Sequence, residues 1–507
     1  MKNIVKIFAG VTLLLTFAGC TKNFEKYNTD PYAVMTADPS ILLPTMIDAM
    51  MYVQQNDSQM IDQMVGTLGG YFTLSNRWGG QNFDTFNVND GWNAIPYEAP
   101  FLDIYGNFFD IEKATSSSGH YYALARLVRA AAMLRVADCY GPIPYSKVTD
   151  GQMYVAYDSN EDVYHHIIND LRYASDQLYL FVKSNEGIMP MGEKDALYSG
   201  DYSKWAKLAN SLIMRVALRG GDDYKEDFIT AYNSPAGYIR LNDDNAMMNP
   251  APQTNPYNLA ASSWGDIRAN ASIVDYMTGY QDPRTSAYFT KASIGSQDYL
   301  GMRSGKLQFE KSAVSGYSQP NFGAGSRLPV FVAAETEFIL AEVALRHSDW
   351  GVSGSPQSHY EAGIRLSMAQ WGVSSGTEEY ISNTEFTPGN HQNDPVSGFG
   401  PYTRNTKVKI AWGAESAEEK HFEQIITQKW IANYPMGIEA WSEYRRTGYP
   451  ELNPAVDPNP DYMRGMRRLR YSYNEDSYNK ANKDAAVAEF LGGSDTQTKD
   501  LFWAKKN

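Results

Sequence analysis

The chain has 507 residues, with 58 acidic and 44 basic side chains and a formal net charge of −14. Such an acidic chain is a poor partner for nucleic acid or an anionic membrane face, and we predict no nucleic-acid binding. Hydrophobic residues make up 43% of the chain, enough to bury a large core. Two cysteines cannot build a disulfide framework, and no linker tract interrupts the chain, so one large unit is predicted.

The N-terminus has the three parts of a secretory signal peptide. A basic start (Met1–Lys6) precedes an apolar run over 7–17, and Ala18-Gly19-Cys20 closes it. The apolar run is shorter than the roughly 20 residues that span a bilayer. A cysteine after two small residues resembles the lipobox of bacterial lipoproteins. We therefore predict that residues 1–19 are removed and that Cys20 carries a lipid anchor; the alternative is an ordinary cleaved signal.

Several segments have helical periodicity of their apolar residues. In chain order they are 120–140, 159–179, 201–219, 333–346, 359–371 and 416–444, the last interrupted near Pro435. Ser159 with Asp162, and Ser416 with Glu419, have the spacing of N-terminal caps. Trp205, Leu208 and Leu212 lie on one apolar helix face and are predicted to be core.

Long polar and aromatic segments separate these helices, over 66–110, 235–330, 373–413 and 446–486. Strand signals are few. Long loops inside a compact chain are usually functional or carry small structures of their own. The pairing of helices resembles tetratricopeptide repeats without a clean consensus. The predicted fold class is therefore all-α, with tetratricopeptide-like helix pairs packed against a loop-rich region.

No catalytic or metal-binding motif is present in the sequence. The seven histidines include no His-Glu-x-x-His pair, and there is no phosphate loop or nucleophile elbow. Asp457-x-Asn459-x-Asp461 begins like a calcium loop, but Tyr462 and Arg468 stand where glycine and glutamate are required. We predict no metal, no cofactor and no enzymatic activity.

One segment combines aromatic rings with hydrogen-bond donors, as a sugar-binding site requires. Residues 71–93 are dense in both and have no sustained helical period. Trp78 and Trp92 are predicted to stack on a ligand, with Arg77 and Asn93 as donors. An opposing wall is predicted from Tyr257 and Trp264, with Arg268 beside them. The alternative for each aromatic residue is that it anchors its loop to the scaffold.

Five strings occur in one order along nearly the whole chain and together resemble the SusD/RagB family of outer-membrane lipoproteins of Bacteroidetes. The strings are Asn-Thr-Asp-Pro (28–31), Tyr-Gly-Pro-Ile-Pro-Tyr (140–145), Gly-Asp-Tyr-Ser-Lys-Trp (200–205) with Ala-Asn-Ser-Leu (209–212) and Arg215, Gln-Lys-Trp-Ile (428–431), and Glu-Ala-Trp-Ser-Glu-Tyr-Arg-Arg-Thr-Gly-Tyr-Pro (439–450). The fit looks closest to the second SusD-like subgroup. Trp205, Trp430 and the Arg445-Arg446 pair beside Glu439 and Glu443 are predicted to build the scaffold, the last as an ion-pair cluster.

The resemblance implies a single domain over 20–507, lipid-anchored to the outer membrane and facing the cell exterior. It implies that the protein binds a nutrient, favoured to be an oligosaccharide, and delivers it to a SusC-like TonB-dependent transporter without making or breaking a bond. Three alternatives stay open: a peptide-binding uptake lipoprotein of the RagB type, an exported glycan-degrading enzyme, and a structural or adhesive surface lipoprotein. The sequence does not identify the ligand.

Overall fold

The computed structural model describes residues 37–152, 154–462 and 464–505. From Pro39 onward the chain forms one compact unit. The predictions of a signal peptide over 1–19 and of a lipid on Cys20 lie outside the described residues and stay predictions.

The described chain is mainly helical, as the sequence predicts. Its helices of eight or more residues are α1 Pro39–Asp48, α2 Asp90–Thr115, α3 Gly119–Tyr140, α4 Asn160–Ser184, α5 Tyr202–Gly220, α6 Lys225–Tyr232, α7 Ala271–Gly279, α8 Ala333–Arg346, α9 Pro356–Gln370, α10 Glu418–Ala432, α11 Gly437–Thr447 and α12 Lys480–Phe490. Shorter helical turns are Gln55–Ser58, Met64–Gly66, Pro256–Asn258, Thr285–Tyr288, Thr377–Ile381 and Glu475–Tyr478, and π-helical turns are Gln59–Gln63 and Leu259–Trp264.

Successive helices pack on one another, since α2 contacts α3, α3 contacts α4, and α4 contacts α5. Helix α8 likewise contacts α9 and α10. On α3 the small residues Ala123, Ala130 and Ala137 are fully buried, so neighbouring helices can approach closely. Packing of helices that follow one another along the chain gives the paired, tetratricopeptide-like arrangement that the sequence predicts.

The two predicted caps have different outcomes. Ser159 caps α4, because its hydroxyl accepts a hydrogen bond from the Asp162 backbone N–H at 3.0 Å. The Ser416 and Glu419 box is wrong: α10 begins at Glu418 behind Ala417, which makes no side-chain cap. Glu419 instead accepts from the Tyr449 hydroxyl at 2.8 Å and pairs with Arg346.

Helix α2 is the main element that the sequence analysis missed, because Pro96 and Pro100 interrupt its pattern. Asn89 begins it by accepting a hydrogen bond from the Trp92 N–H at 2.9 Å. Aromatic rings then follow at every fourth residue, as Tyr97, Phe101, Tyr105 and Phe109, with successive centroids 4.9, 5.5 and 6.0 Å apart. Tertiary packing of this aromatic row stabilises a helix that the prolines disfavour.

Two small antiparallel sheets lie in the described insertions. Strand β1 (Phe72–Leu74) pairs with β3 (Ile267–Ala269), with Thr73 opposite Arg268. Strand β2 (Ala246–Met248) pairs with β4 (Leu328–Phe331), with an irregular register after Ala246. The first sheet joins the 66–88 segment to the 259–270 segment, which brings together two of the predicted ligand-binding segments.

The helical core contains a buried ionic cluster, to which the family-like strings contribute Lys429, Glu439, Glu443 and Arg446. Arg219 pairs with Asp138 at 2.6 Å and also with Glu439. Arg446 pairs with Glu443 at 2.8 Å. Burial opposes ionisation of Glu443, but the charges of Arg446 and its neighbour Lys429 hold the pKa of that carboxyl well below its usual range.

Arg445 departs from the predicted cluster, since its guanidinium hydrogen-bonds to neutral groups. Its guanidinium donates to the Trp441 and Arg467 carbonyls at 3.2 and 3.1 Å and to the Ser442 hydroxyl at 3.0 Å. The guanidinium carbon lies 3.5 Å from the centroid of the Trp441 ring. The ion-pair prediction is therefore correct for Arg446 and wrong for Arg445.

The predicted core positions of α5 are confirmed. Trp205 and Leu208 are fully buried and Leu212 is 2% exposed. The Trp205 indole N–H donates to the Asp195 carboxylate at 2.7 Å, which satisfies its polar atom. Among the described residues, no helix is both long and apolar enough to cross a membrane.

Candidate ligand-binding surface

Trp78 and Trp92, predicted from separate ends of one segment, meet in the structure. Their ring centroids are 5.2 Å apart and the ring planes are nearly perpendicular, at 88°. Edge-to-face contact is a favoured geometry for aromatic pairs. Both side chains are half-buried, so each leaves part of its ring accessible. Trp92 is held by the first turn of α2, and Trp78 by the loop before it.

The loop presents Trp78 in a strained conformation. Trp78 has φ +41°, and Gly79 and Gly80 follow with φ +75° and +79°. A non-glycine residue in this region is uncommon and marks a turn or a functional constraint. The Thr85 hydroxyl donates to the Gly80 carbonyl at 3.1 Å, and the Asn82 amide donates to the Arg77 carbonyl at 3.3 Å. These contacts hold the loop that carries the indole.

Arg77 lies next to the aromatic pair and connects it to a distant part of the chain. Its Nη1 donates to the Gln308 side-chain oxygen at 2.5 Å and to the Leu307 carbonyl at 3.4 Å. The guanidinium carbon also lies 5.8 Å from the centroid of the Phe309 ring. Arg77 is half-buried and Gln308 exposed, so the pair offers polar groups at the edge of the aromatic surface.

Asp266 joins the Trp264 segment to the same region. Its carboxylate accepts from the Asn76 amide at 3.1 Å and from the Lys311 ammonium at 2.6 Å. Lys311 also donates to the Trp264 carbonyl at 2.7 Å. Trp264 is half-buried. Asp266 and Lys311 therefore connect Trp264, from the predicted opposing wall, to Asn76 in the loop that carries Trp78.

Two predicted ligand contacts, Tyr257 and Asn93, are buried and do not reach this surface. Tyr257 is fully buried against Phe72, with ring centroids 5.0 Å apart, and burial raises the pKa of its hydroxyl well above the usual range. Asn93 is 2% exposed and donates to the Arg470 carbonyl at 2.7 Å. For Tyr257 the contact with Phe72 agrees with the alternative interpretation, in which the aromatic ring anchors its segment to the scaffold.

Arg268 is also buried, which removes it from the predicted wall. It donates to the Val314 and Ile267 carbonyls at 3.1 and 2.7 Å, and burial lowers its pKa. All three residues of β3 are buried where it pairs with β1, so both faces of this strand are covered. The sequence analysis lacked that pairing, so it could not assign the face of Arg268.

Gln308, Phe309 and Lys311 contribute to the surface and were missed. They lie about 230 positions from Arg77, and no local pattern marks them. The rejected calcium loop lies nearby: Asp457 accepts from Lys306 and from the Leu307 N–H, each at 3.1 Å. Within the described part of the chain, no group of three or more His, Cys, Asp or Glu side chains could hold a metal ion.

Chemically, the surface combines flat aromatic faces with amide, guanidinium and ammonium donors. The partly exposed rings of Trp78, Trp92 and Trp264 could contact the C–H faces of sugar rings, while Arg77, Gln308 and Lys311 could bond hydroxyl groups. The arrangement is suited to binding.

Comparisons with known proteins identify relatives over nearly the whole chain. The family model described as SusD-like, Susd and RagB outer membrane lipoprotein, matches residues 23–504. A crystal structure of a SusD-like protein from Bacteroides thetaiotaomicron is 34% identical with a TM-score of 0.88, covering 93% of this chain and 99% of that one. A SusD homologue from Bacteroides uniformis is 33% identical with a TM-score of 0.85, covering 92% and 99%.

One similar structure has a stated ligand. It is a chitin-binding SusD homologue from Flavobacterium johnsoniae, 30% identical with a TM-score of 0.85, covering 92% of this chain and 99% of that one. No protein among curated sequences matches the chain.

Proposed function

The chain belongs to the SusD-like family of outer-membrane lipoproteins, and we propose that it binds an oligosaccharide at the cell surface and delivers it to a SusC-like TonB-dependent transporter. In this proposal residues 1–19 are removed, Cys20 carries the lipid, and residues 20–507 form one extracellular domain that makes or breaks no bond. The observation that carries the proposal is the Trp78 and Trp92 pair, which is half-buried beside the polar Arg77 and Gln308.

An oligosaccharide is favoured over a peptide for two reasons. Flat aromatic faces next to amide and guanidinium donors match the apolar faces and hydroxyl edges of sugar rings. The relative from Flavobacterium johnsoniae is described as chitin-binding at 30% identity. Chitooligosaccharides are therefore the first ligands to test, followed by other neutral glycans.

Binding should be measured by calorimetry on the soluble chain from residue 21, against a glycan panel that begins with chitooligosaccharides. Trp78→Ala and Trp92→Ala should each weaken binding by about 1–3 kcal/mol, by analogy with base stacking on aromatic side chains. Trp412→Ala is the matched control, because Trp412 is also half-buried and stacks on His421 with centroids 4.0 Å apart.

The alternatives predict different results. Binding of peptides but of no glycan would favour a RagB-like role, and cleaved product in the same mixtures would favour the glycan-degrading enzyme. If Trp78→Ala and Trp92→Ala fold normally and bind like the parent chain, the assignment of this surface is wrong.

The anchor and the partner have separate tests. Cys20→Ala should release the full-length protein from the membrane fraction, and unchanged retention would contradict the lipid anchor. Affinity purification of the full-length protein from detergent-solubilised membranes should recover a large β-barrel transporter. Recovery of the tagged protein alone would favour a structural or adhesive role.

A further inference from the structure

A cavity lies between the end of α11 and the loop residues Asp84 and Phe86. Its volume is about 620 Å³, within the range typical of small-molecule sites. The lining includes Asp84, Tyr444, Arg445, Arg464, Arg467 and Lys505. None of Trp78, Trp92 and Trp264 lines it, so it is distinct from the aromatic surface. Half-exposed Arg464 and exposed Lys505 lie where it opens to solvent.

The lining is positively charged, although the chain as a whole has a net charge of −14. Four basic side chains line the cavity against one carboxylate, that of Asp84. Asp500, outside the lining, pairs with Arg467 at 2.5 Å and with Arg464 at 3.4 Å. Counting it as well, four positive charges face two negative ones, which leaves a surplus of two.

The surplus positive charge comes from Arg445 and Lys505, whose side chains hydrogen-bond to neutral groups. Lys505 Nζ donates to the Thr447 carbonyl at 3.3 Å. The Arg445 guanidinium bonds two carbonyls and a hydroxyl and lies between the rings of Trp441 and Trp503, at 3.5 and 4.8 Å from their centroids. Burial lowers the pKa of Arg445 to about 9, a sign that its charge lacks full compensation.

The Asp84 carboxylate does not neutralise the charge of Arg445, because other hydrogen-bond donors already bind it. Its Oδ2 accepts from the Thr73 hydroxyl at 3.1 Å and from the Leu74 N–H at 3.2 Å. Burial raises the pKa of Asp84 to about 6. An anion that entered the cavity would thus meet three arginines and a lysine, and a buried unpaired cation is stabilised strongly by a nearby negative charge.

We propose that this cavity is a second ligand site, which binds the carboxylate of a small organic acid the size of one sugar or one amino acid. The carboxylate would lie near Arg445, Arg467 and Lys505, and the half-buried rings of Tyr402 and Tyr444 would contact the rest of the molecule. This site is independent of the proposed oligosaccharide surface and selects its ligand by charge, which the aromatic surface does not.

Calorimetry on the soluble chain from residue 21, at low salt, should test this with D-galacturonate against neutral D-galactose. We expect galacturonate to bind at least about tenfold more tightly, and its affinity to fall as salt screens the charges. N-acetyl-L-alanine forms a second arm that distinguishes an amino-acid carboxylate from a sugar carboxylate. Binding of either acid, but not of galactose, supports the proposal and identifies the source.

The double variant Arg464→Gln/Lys505→Gln should weaken binding of the acid about tenfold. Its matched control is Lys291→Gln/Lys480→Gln, which removes two charges from lysines 67% and 61% exposed elsewhere. Both variants change exposed or half-exposed side chains and are expected to fold. Equal affinity for acid and galactose, no binding of either acid, or unchanged binding by the first variant would each overturn the proposal.

Discussion

The helical core and the aromatic surface both contain arginine and tryptophan side chains, but these are fully buried in the core and half-buried at the surface. In the core, Arg219 is fully buried and its charge is compensated by Asp138 and Glu439. At the surface, Arg77 bonds one amide and one carbonyl and remains half-buried. Trp205 is likewise fully buried with its N–H satisfied, while Trp78 is half-buried on a strained backbone.

This contrast separates residues that stabilise the fold from residues that can bind. Removing one partner of a compensated, buried ion pair destabilises the fold, and the intact pair is not available to bind a ligand. A half-buried aromatic ring on a strained backbone is partly accessible, which keeps Trp78 a candidate ligand contact. The strings that resemble the family lie mostly in the first class, so membership of the family does not identify the ligand.

Removing one member of the core cluster should have the largest effect. Arg219→Ala leaves Asp138 and Glu439 buried without their partner, so the free energy of unfolding should fall by about 3–5 kcal/mol. Urea denaturation followed by circular dichroism would measure this. Arg365→Ala is the control, since Arg365 is 43% exposed and pairs with Glu378 at the surface. A loss below about 1 kcal/mol for Arg219→Ala would place it with such surface pairs.

Substitutions of two tryptophans should distinguish a residue that stabilises the core from one that binds a ligand. Trp205→Ala removes a fully buried ring and should cost about 3–5 kcal/mol of unfolding free energy. Trp78→Ala should cost less stability, because part of that ring already faces solvent, but should weaken glycan binding by about 1–3 kcal/mol. Thermal unfolding and calorimetry on both variants would show whether the two effects separate. A similar stability loss in both would place Trp78 in the core.

Adding a single methyl group to the strained loop should lower the stability of the protein. In Gly79→Ala the new Cβ meets open space, but φ +75° disfavours an L-residue, so the free energy of unfolding should fall by about 1–2 kcal/mol. Gly413→Ala is the control: its Cβ also meets open space, without a positive φ. That change should be neutral or stabilising by about 0.4–1 kcal/mol. Equal effects on denaturation midpoints would show that the loop is not strained.

The smallest expected effect is on the pH dependence of the free energy of unfolding, and it concerns His391 in the 373–413 insertion. His391 is 1% exposed between Asp275 and Asp394, with ring nitrogens 3.3 and 2.9 Å from their carboxylates. Arg404 lies 3.5 Å from Asp275, and Tyr317 donates to Asp394. Burial lowers the pKa of His391, but hydrogen bonds and charges from both aspartates outweigh it and raise that pKa to about 9.

A folded pKa above the unfolded value of about 6.5 means that the native state binds the proton more tightly. The stability from His391 is therefore fully present below about pH 6.5 and is lost as pH rises through about 9. For one proton, the free energy of unfolding falls by at most about 1.4 kcal/mol per pH unit. Denaturation midpoints between pH 6.5 and 9 should fall in the parent chain and fall less in His391→Gln. Parallel profiles would contradict the raised pKa.

The sequence alone determined the helical scaffold, because the apolar period of each scaffold helix is a local property. The helices around Ala130, Trp205 and Trp430 follow from that period, and five ordered strings identified the family. The same reasoning failed for α2, where Pro96 and Pro100 hide a helix that aromatic packing stabilises.

Which predicted site residues meet, and which are buried, depends on tertiary packing. Composition marked the 71–93 segment correctly as rich in aromatics, but the Trp78 and Trp92 contact depends on how a loop folds onto the start of α2. The burial of Tyr257, and the approach of Gln308 to Arg77, follow from contacts between residues more than a hundred positions apart. No local pattern encodes such contacts, because they arise from how whole segments pack together.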